Sequence, residues 1–155
     1  MKRIFIAAMV LVLGLCGSAL AGGKNGGLAV SYLTPKGDFE NIVGDGYGLS
    51  AIFDYPMAGV VNISGSLGWN SFSGATIIEG TNIELEGQTV WEFSAGPQLD
   101  FGLLYIGLEG GYYTYLDEWG AVSIVGIRKD MFDFSLRYKM TEDGEFMAGR
   151  AGFFF

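Results

Sequence analysis

The segment Glu145–Phe155, EFMAGRAGFFF, decides the fold. In an extended chain, alternate residues point to opposite faces, so Phe153 and Phe155 share an apolar face while Arg150 lies on the other. A soluble domain usually lets its last residues fray into water. A terminus that alternates in this way and ends on phenylalanine instead predicts a final β-strand with apolar surroundings on one side and a polar interior on the other.

The same period-two alternation runs back through the chain and is broken by short clusters of Gly, Asp, Asn and Pro, which is typical of all-β proteins. Most of the segments are long enough to cross a bilayer as tilted strands, which takes about 9–11 residues each. The pattern predicts eight strands: Gly27–Pro35, Asp45–Tyr55, Val60–Ser73, Gln88–Phe101, Leu103–Leu116, Trp119–Arg128, Met131–Thr141 and Glu145–Phe155.

The distribution of bulk and aromatic residues then indicates which face is outside. Alternation alone also fits a soluble barrel with its apolar face inward. Here the apolar face is bulky, the polar face is rich in Gly and Ser, and aromatic residues gather at both strand ends, as expected where a barrel meets two membrane interfaces. The expected girdle residues are Tyr47, Trp69 and Trp91 at the end with long loops, and Phe101 and Phe132 at the end with tight turns. The sequence thus predicts an all-β, eight-stranded antiparallel up-and-down transmembrane β-barrel.

The first 21 residues read as a secretory signal peptide. Lys2 and Arg3 form a basic start, Ile4–Leu15 is an apolar stretch, and Ala19 and Ala21 give an A-x-A cleavage pattern. We therefore expect residues 1–21 to be removed and residues 22–155 to form the barrel domain. Cys16 raises the alternative of a lipoprotein signal, but Leu15 before it is bulkier than such signals generally accept.

Composition narrows the possible chemistry. The chain has no histidine, and its single cysteine, Cys16, leaves with the predicted signal peptide. The remaining residues carry 7 basic and 17 acidic side chains, a formal net charge of −10, which excludes a nucleic-acid-binding protein. A metal site built on His or Cys is excluded too, and a nucleophile would lack the usual proton carrier near neutral pH. We therefore expect neither an enzyme nor a cofactor, although the acidic loop segments Asp117–Glu118 and Glu142–Glu145 leave a calcium or magnesium site open.

Charged residues on the inward face predict a network inside the barrel. Five side chains fall on that face: Glu92, Glu109, Arg137, Lys139 and Arg150. Counting from the strand ends puts Glu109, Arg137 and Arg150 at similar depth, so Glu109 is expected to sit between the two arginines. Glu92 and Lys139 are expected to form a second layer. Since buried charges are tolerable only when paired, we expect this network to fill the interior.

The predicted signal peptide, the eight amphipathic strands and the closing strand Phe146–Phe155 together make the chain resemble the small outer-membrane barrels of the OmpA/OmpX type. The resemblance implies a monomer in the outer membrane of a Gram-negative bacterium, with both termini in the periplasm. It also implies that Phe153 and Phe155 belong to the signal by which the barrel-assembly machinery recognises its clients. The expected role is a structural or surface-interaction scaffold, and a narrow channel or small-molecule carrier is the alternative. A soluble, lipocalin-like barrel in the periplasm also remains open.

Overall fold

The computed structural model describes residues 26–41, 43–74, 87–114, 117–142 and 144–155. These residues form an antiparallel barrel in which each strand pairs with the next and the first pairs with the last. The strands are β1 (Gly26–Lys36), β2 (Val43–Ala58), β3 (Val61–Gly74), β4 (Gln88–Phe101), β5 (Leu104–Tyr113), β6 (Glu118–Lys129), β7 (Phe132–Met140) and β8 (Glu145–Phe154). The predicted all-β, up-and-down barrel of eight strands is confirmed. The predicted signal peptide and residues 75–86 of the second long loop lie outside the described residues.

Strand β4 has the predicted bounds, five strands differ from the prediction by one residue at one or both ends, β2 and β5 differ by up to three, and one short helix was not predicted. Strand β2 runs on to Ala58, with a register irregularity between Pro56 and Ala58 at which Met57 has no partner on β3. Strand β5 ends at Tyr113 rather than at residue 116. A 3₁₀ helix, Gly37–Asn41, follows β1. Within the described part of the chain, no helix is long and apolar enough to cross a membrane.

Three connections are two-residue turns and lie at one end of the barrel, called here the turn end. They join Ala58 to Val61, Phe101 to Leu104 and Lys129 to Phe132. In each, the first turn residue has a positive φ: 59° at Gly59, 88° at Gly102 and 57° at Asp130. Two-residue hairpin loops need a positive φ, which Gly adopts freely and Asp tolerates. The longer connections define the opposite end, the loop end.

The distribution of side chains is the reverse of that in a soluble protein. Bulky apolar residues lie on the outside, where Leu49 is 53% exposed and Phe134 is 53% exposed. Charged and polar residues lie inside, where Glu109 and Arg137 are each 2% exposed. Phe53 also points outward but is buried, because its ring covers the face of Gly65. The polar interior and apolar exterior follow directly from the alternation in sequence.

Pro97 interrupts one of the eight ladders. Asp100 N donates to Val60 O, which directly precedes β3, and Trp91 O accepts from Thr114 N, which directly follows β5. The odd-numbered residues of β4 therefore direct their backbone groups at β5. Pro97 has no N–H to offer the Leu108 carbonyl opposite it. The β4–β5 ladder accordingly skips two positions, from Ala95–Gly110 to Gln98–Gly107, without a change of register. A proline within a strand that has neighbours on both sides is uncommon.

Candidate functional site

The candidate site is the interior of the barrel, whose side chains form three layers along its axis. The apolar layer lies towards the loop end and comprises Leu33, Val43, Phe72, Val90, Tyr113 and Phe146. The central layer contains the ion pairs Glu92–Lys139 and Glu109–Arg137. The turn-end layer contains the charged side chains of Asp54, Arg128, Asp133 and Arg150.

The apolar layer is held together by aromatic contacts. The Phe146 ring meets Phe72 edge-on at a centroid distance of 5.6 Å and Tyr113 edge-on at 5.7 Å. The Lys139 ammonium lies 5.0 Å from the Phe146 ring centroid, so the apolar layer directly contacts the charged central layer. The expectation of a polar, Gly- and Ser-rich interior is wrong at this level. The side chains there are fully buried, and a buried, unhydrated space packs most favourably with apolar groups.

In the central layer, the first ion pair joins β4 to β7. The Lys139 ammonium donates to Glu92 Oε2. The Asn70 amide, on β3, donates to the same oxygen at 3.2 Å. Each of these side chains is almost completely buried. Glu92 and Lys139 are therefore brought together as the sequence suggested.

The second central pair joins β5 to β7. Arg137 Nη2 donates to Glu109 Oε2. The Glu109 carboxylate also accepts from Ser64 Oγ at 2.8 Å and from Ser94 Oγ at 2.7 Å. Arg137 in turn donates to Ser66 Oγ at 3.1 Å and to Ser94 Oγ at 3.3 Å. Hydroxyl groups from β3 and β4 thus bind both members of a desolvated ion pair, as burial of charge requires.

In the turn-end layer, Asp133 is the shared anion. Arg128 Nε donates to its Oδ2 at 3.3 Å, and the Tyr105 hydroxyl donates to the same oxygen at 2.7 Å. Arg150 Nη2 lies 3.5 Å from Asp133 Oδ1. Arg128 also donates to Asp54, which lies on the far side of the barrel on β2. This layer therefore connects strands β2, β5, β6, β7 and β8.

The Arg128 guanidinium also closes the turn end against the last inward-facing residue. Its Cζ lies 4.2 Å from the ring centroid of Phe154 and 5.1 Å from that of Tyr105. Cations bind favourably over aromatic faces, most strongly where water is excluded. The penultimate residue of the chain is thus part of the interior, whereas its neighbours Phe153 and Phe155 lie outside.

One predicted grouping is wrong. Glu109 pairs with Arg137, but Arg150 forms its ion pair with Asp133 and donates to Ser135 Oγ at 3.1 Å. Counting along strands gives depth but not the stagger between strands, and stagger decides which side chains meet. The turn-end layer was missed as a group. Asp133 could have been included, because strict alternation in β7 places it on the same face as Arg137.

The aromatic residues expected to form girdles are exposed on the outer face. Trp69 and Trp91 are directly opposite each other on β3 and β4, near the loop end, and Tyr47 lies on β2 beside them. Phe101 and Phe132 lie at the turn end. The two ends of the barrel therefore both carry outward aromatic side chains.

The C-terminal residues expected to form the assembly signal complete the barrel. Phe153 is exposed and its ring meets that of Phe132 edge-on at 5.6 Å. Phe155, also exposed, donates its backbone N–H to Gly26 O at 2.9 Å, so the β1–β8 ladder continues past the last assigned strand residue.

Among the described residues, no group of three or more His, Cys, Asp or Glu side chains is arranged to hold a metal ion. In the acidic loop segments, Asp117 accepts a hydrogen bond from Tyr112 and Glu145 accepts one from Tyr138. Residue 143 of the second segment lies outside the described residues.

Comparison with known proteins gives no match, either to a protein-family model or to a curated protein sequence. The function of the protein is therefore inferred from the geometry of the barrel.

Proposed function

We propose that the protein is an integral outer-membrane β-barrel that acts as a rigid scaffold and presents its loops at the cell surface. The observation that supports this most strongly is the reversed distribution of side chains. Among the described residues, 26 large hydrophobic side chains are exposed on the outside. Soluble monomers rarely expose apolar patches above a few hundred Å². In lipid, the same exposed apolar side chains stabilise the folded protein.

The two aromatic belts support the same placement. Trp and Tyr side chains favour the membrane–water interface because one end is apolar and the other forms hydrogen bonds. Trp69, Trp91 and Tyr47 would lie at the outer interface, and Phe101 and Phe132 at the inner one. With Phe153 and Phe155 as the terminal signal, the chain would be a monomeric client of the barrel-assembly machinery.

The interior supports a plugged barrel rather than an open one. The four anions Asp54, Glu92, Glu109 and Asp133 are matched by the four cations Arg128, Arg137, Lys139 and Arg150. Each is bonded across the barrel axis or to a neighbouring strand. The apolar layer, on the loop-end side of these charges, blocks the interior at a second level. A solute would have to break buried ion pairs and displace aromatic rings, both of which are costly.

Cell fractionation tests whether the protein resides in the outer membrane. After expression of the full chain in a Gram-negative host, we expect the protein in the outer-membrane fraction. We also expect faster migration in SDS electrophoresis when the sample is not boiled, because folded barrels resist the detergent. Recovery from the soluble periplasmic fraction would contradict the proposal. It would favour a soluble barrel.

Conductance in planar bilayers tests the plug separately. A scaffold with a filled interior should give no large, steady conductance at any salt concentration. Steady conductance in the wild-type protein would favour the narrow channel, while leaving the membrane placement intact.

A further inference from the structure

Three buried polar atoms between the apolar layer and the central layer have no hydrogen-bond partner among the described residues. They are the Tyr113 hydroxyl, Glu92 Oε1 and Arg137 Nε. All three residues are at least 98% buried. Buried polar groups in folded proteins are nearly always paired, so three such atoms in one region call for a common explanation.

Strand pairing and shared neighbours link the three side chains. Glu92 and Tyr113 are directly opposite each other on β4 and β5. The Tyr113 side chain runs back over Gly111, and its hydroxyl oxygen lies 3.2 Å from the point where a Cβ of Gly111 would stand. Ser94 Cβ lies 3.4 Å from that point, and Ser94 Oγ accepts from Arg137 Nη2 at 3.3 Å.

Two glycines face this part of the interior. A methyl group at Gly111 would fill the space beside the Tyr113 hydroxyl. Gly68 faces Glu92 from β3, and the atoms nearest its own missing Cβ are 3.5 Å or more away, with Glu92 Cβ at 3.8 Å. Neither glycine places a side chain in this part of the interior.

The three atoms specify the chemistry of what binds between them. Arg137 Nε–H can only donate, Glu92 Oε1 can only accept, and the tyrosine hydroxyl can do either. The occupant must therefore both accept and donate. It must also be neutral, because the charges of Glu92, Glu109, Arg137 and Lys139 already sum to zero.

We propose that this space is a binding site for one structural water molecule. The water accepts from Arg137 Nε and from the Tyr113 hydroxyl, and donates to Glu92 Oε1. Three hydrogen bonds are typical for a buried water. Because Glu92 also binds Lys139 and Arg137 also binds Glu109, the water joins the two ion pairs into one network. The proposal concerns the interior alone and does not depend on where the barrel resides.

Replacement of the hydroxyl gives the thermodynamic test. If the Tyr113 hydroxyl is unpaired, Tyr113→Phe removes an unsatisfied group and leaves stability unchanged or improved. If it binds water, Tyr113→Phe should raise the unfolding equilibrium constant by about 2- to 10-fold. Tyr55→Phe, on the exposed outer face, is the matched control and should have no effect. A Tyr113→Phe variant as stable as the wild type, or more stable, would overturn the proposal.

A crystal structure of the folded protein gives the direct test, which does not depend on any variant. We expect an ordered water within about 2.7–3.2 Å of all three atoms. The Gly111→Ala variant should lose that water, because its methyl group occupies the same space. Absence of density at this position in a wild-type structure that shows other buried waters would also overturn the proposal.

Discussion

Arg137 on β7 and Glu109 on β5 form an ion pair that bridges the strand between them, and both side chains are almost fully buried. Three serines from β3 and β4 form hydrogen bonds with the two charged groups. Five side chains from four strands thus form one cluster at the centre of the barrel. Loss of either charge would leave the other unpaired in a desolvated space.

Removal of one partner should therefore cost more than removal of both. We expect Glu109→Ala to destabilise the barrel by about 3–5 kcal/mol, since it leaves the Arg137 guanidinium buried without its anion. Glu109→Ala combined with Arg137→Met should recover part of that loss. Urea unfolding of the vesicle-inserted protein, followed by the gel-mobility difference, measures both.

Glu142→Ala is the control for this series, because Glu142 is exposed in the β7–β8 connection. It should change stability by less than about 0.5 kcal/mol. If the Glu109 and Arg137 substitutions prove additive, the two residues do not act as a pair, and the description of the central layer is wrong.

A cation on the outer face should be tolerated only near the ends of a strand. Leu136 and Met140 lie on the same face of β7, Leu136 mid-strand and Met140 at its loop end. In a bilayer, Leu136→Arg should cost about 2–4 kcal/mol and Met140→Arg about 0–1 kcal/mol. Folding yields into lipid vesicles compare the two. Equal, wild-type yields would mean that this face does not contact lipid.

Alternation was sufficient to predict the fold, because most strands have one bulky apolar face and one mainly polar face. It also placed Glu92, Glu109, Arg137, Lys139 and Arg150 inside, where all five are buried. The partner of Arg150 could not be predicted in the same way. Whether it meets Glu109 or Asp133 depends on the stagger of β8 against β5, and period-two spacing contains no information on stagger.

The apolar layer was missed for a different reason. Phe72, Phe146 and Tyr113 occupy inward positions on strands whose other inward residues are small or polar, apart from Tyr105 on β5 and Phe154 on β8. In sequence they are isolated exceptions to the pattern on three separate strands. Only closure of the barrel brings them together, so no local window of the sequence contains the cluster.

Truncation of this layer should weaken the seal as well as the fold. Phe146→Ala removes the ring that contacts both Phe72 and Tyr113, and we expect a loss of about 3–5 kcal/mol. In planar bilayers the variant should also show more frequent leak events than the wild type. Phe153→Ala, on the outer face, is the control for leakage. If Phe153→Ala raised leakage as much as Phe146→Ala, the leakage would reflect a general loosening of the barrel and not the loss of the apolar layer.

Restoration of the interrupted ladder should stabilise the protein. Pro97 is exposed on the outer face, so valine at this position disturbs no interior contact and supplies an N–H opposite the Leu108 carbonyl. We expect Pro97→Val to raise the unfolding free energy by about 1 kcal/mol, through one added hydrogen bond and a better strand residue. The midpoint of urea unfolding measures this. An unchanged or lower midpoint would indicate that the carbonyl already has another donor.

The turn-end pair Arg128–Asp54 joins residues 74 positions apart, and the central pairs join residues 47 and 28 apart. Contacts between residues so far apart in sequence require the intervening chain to be closed into a loop, which costs conformational entropy, so they form late in folding. The hairpins, each with its two-residue turn, can form much earlier. Substitutions in the ion-pair layers should accordingly speed unfolding while leaving the rate of folding nearly unchanged. The interior of this barrel thus sets how long the folded state lasts rather than how quickly it is reached.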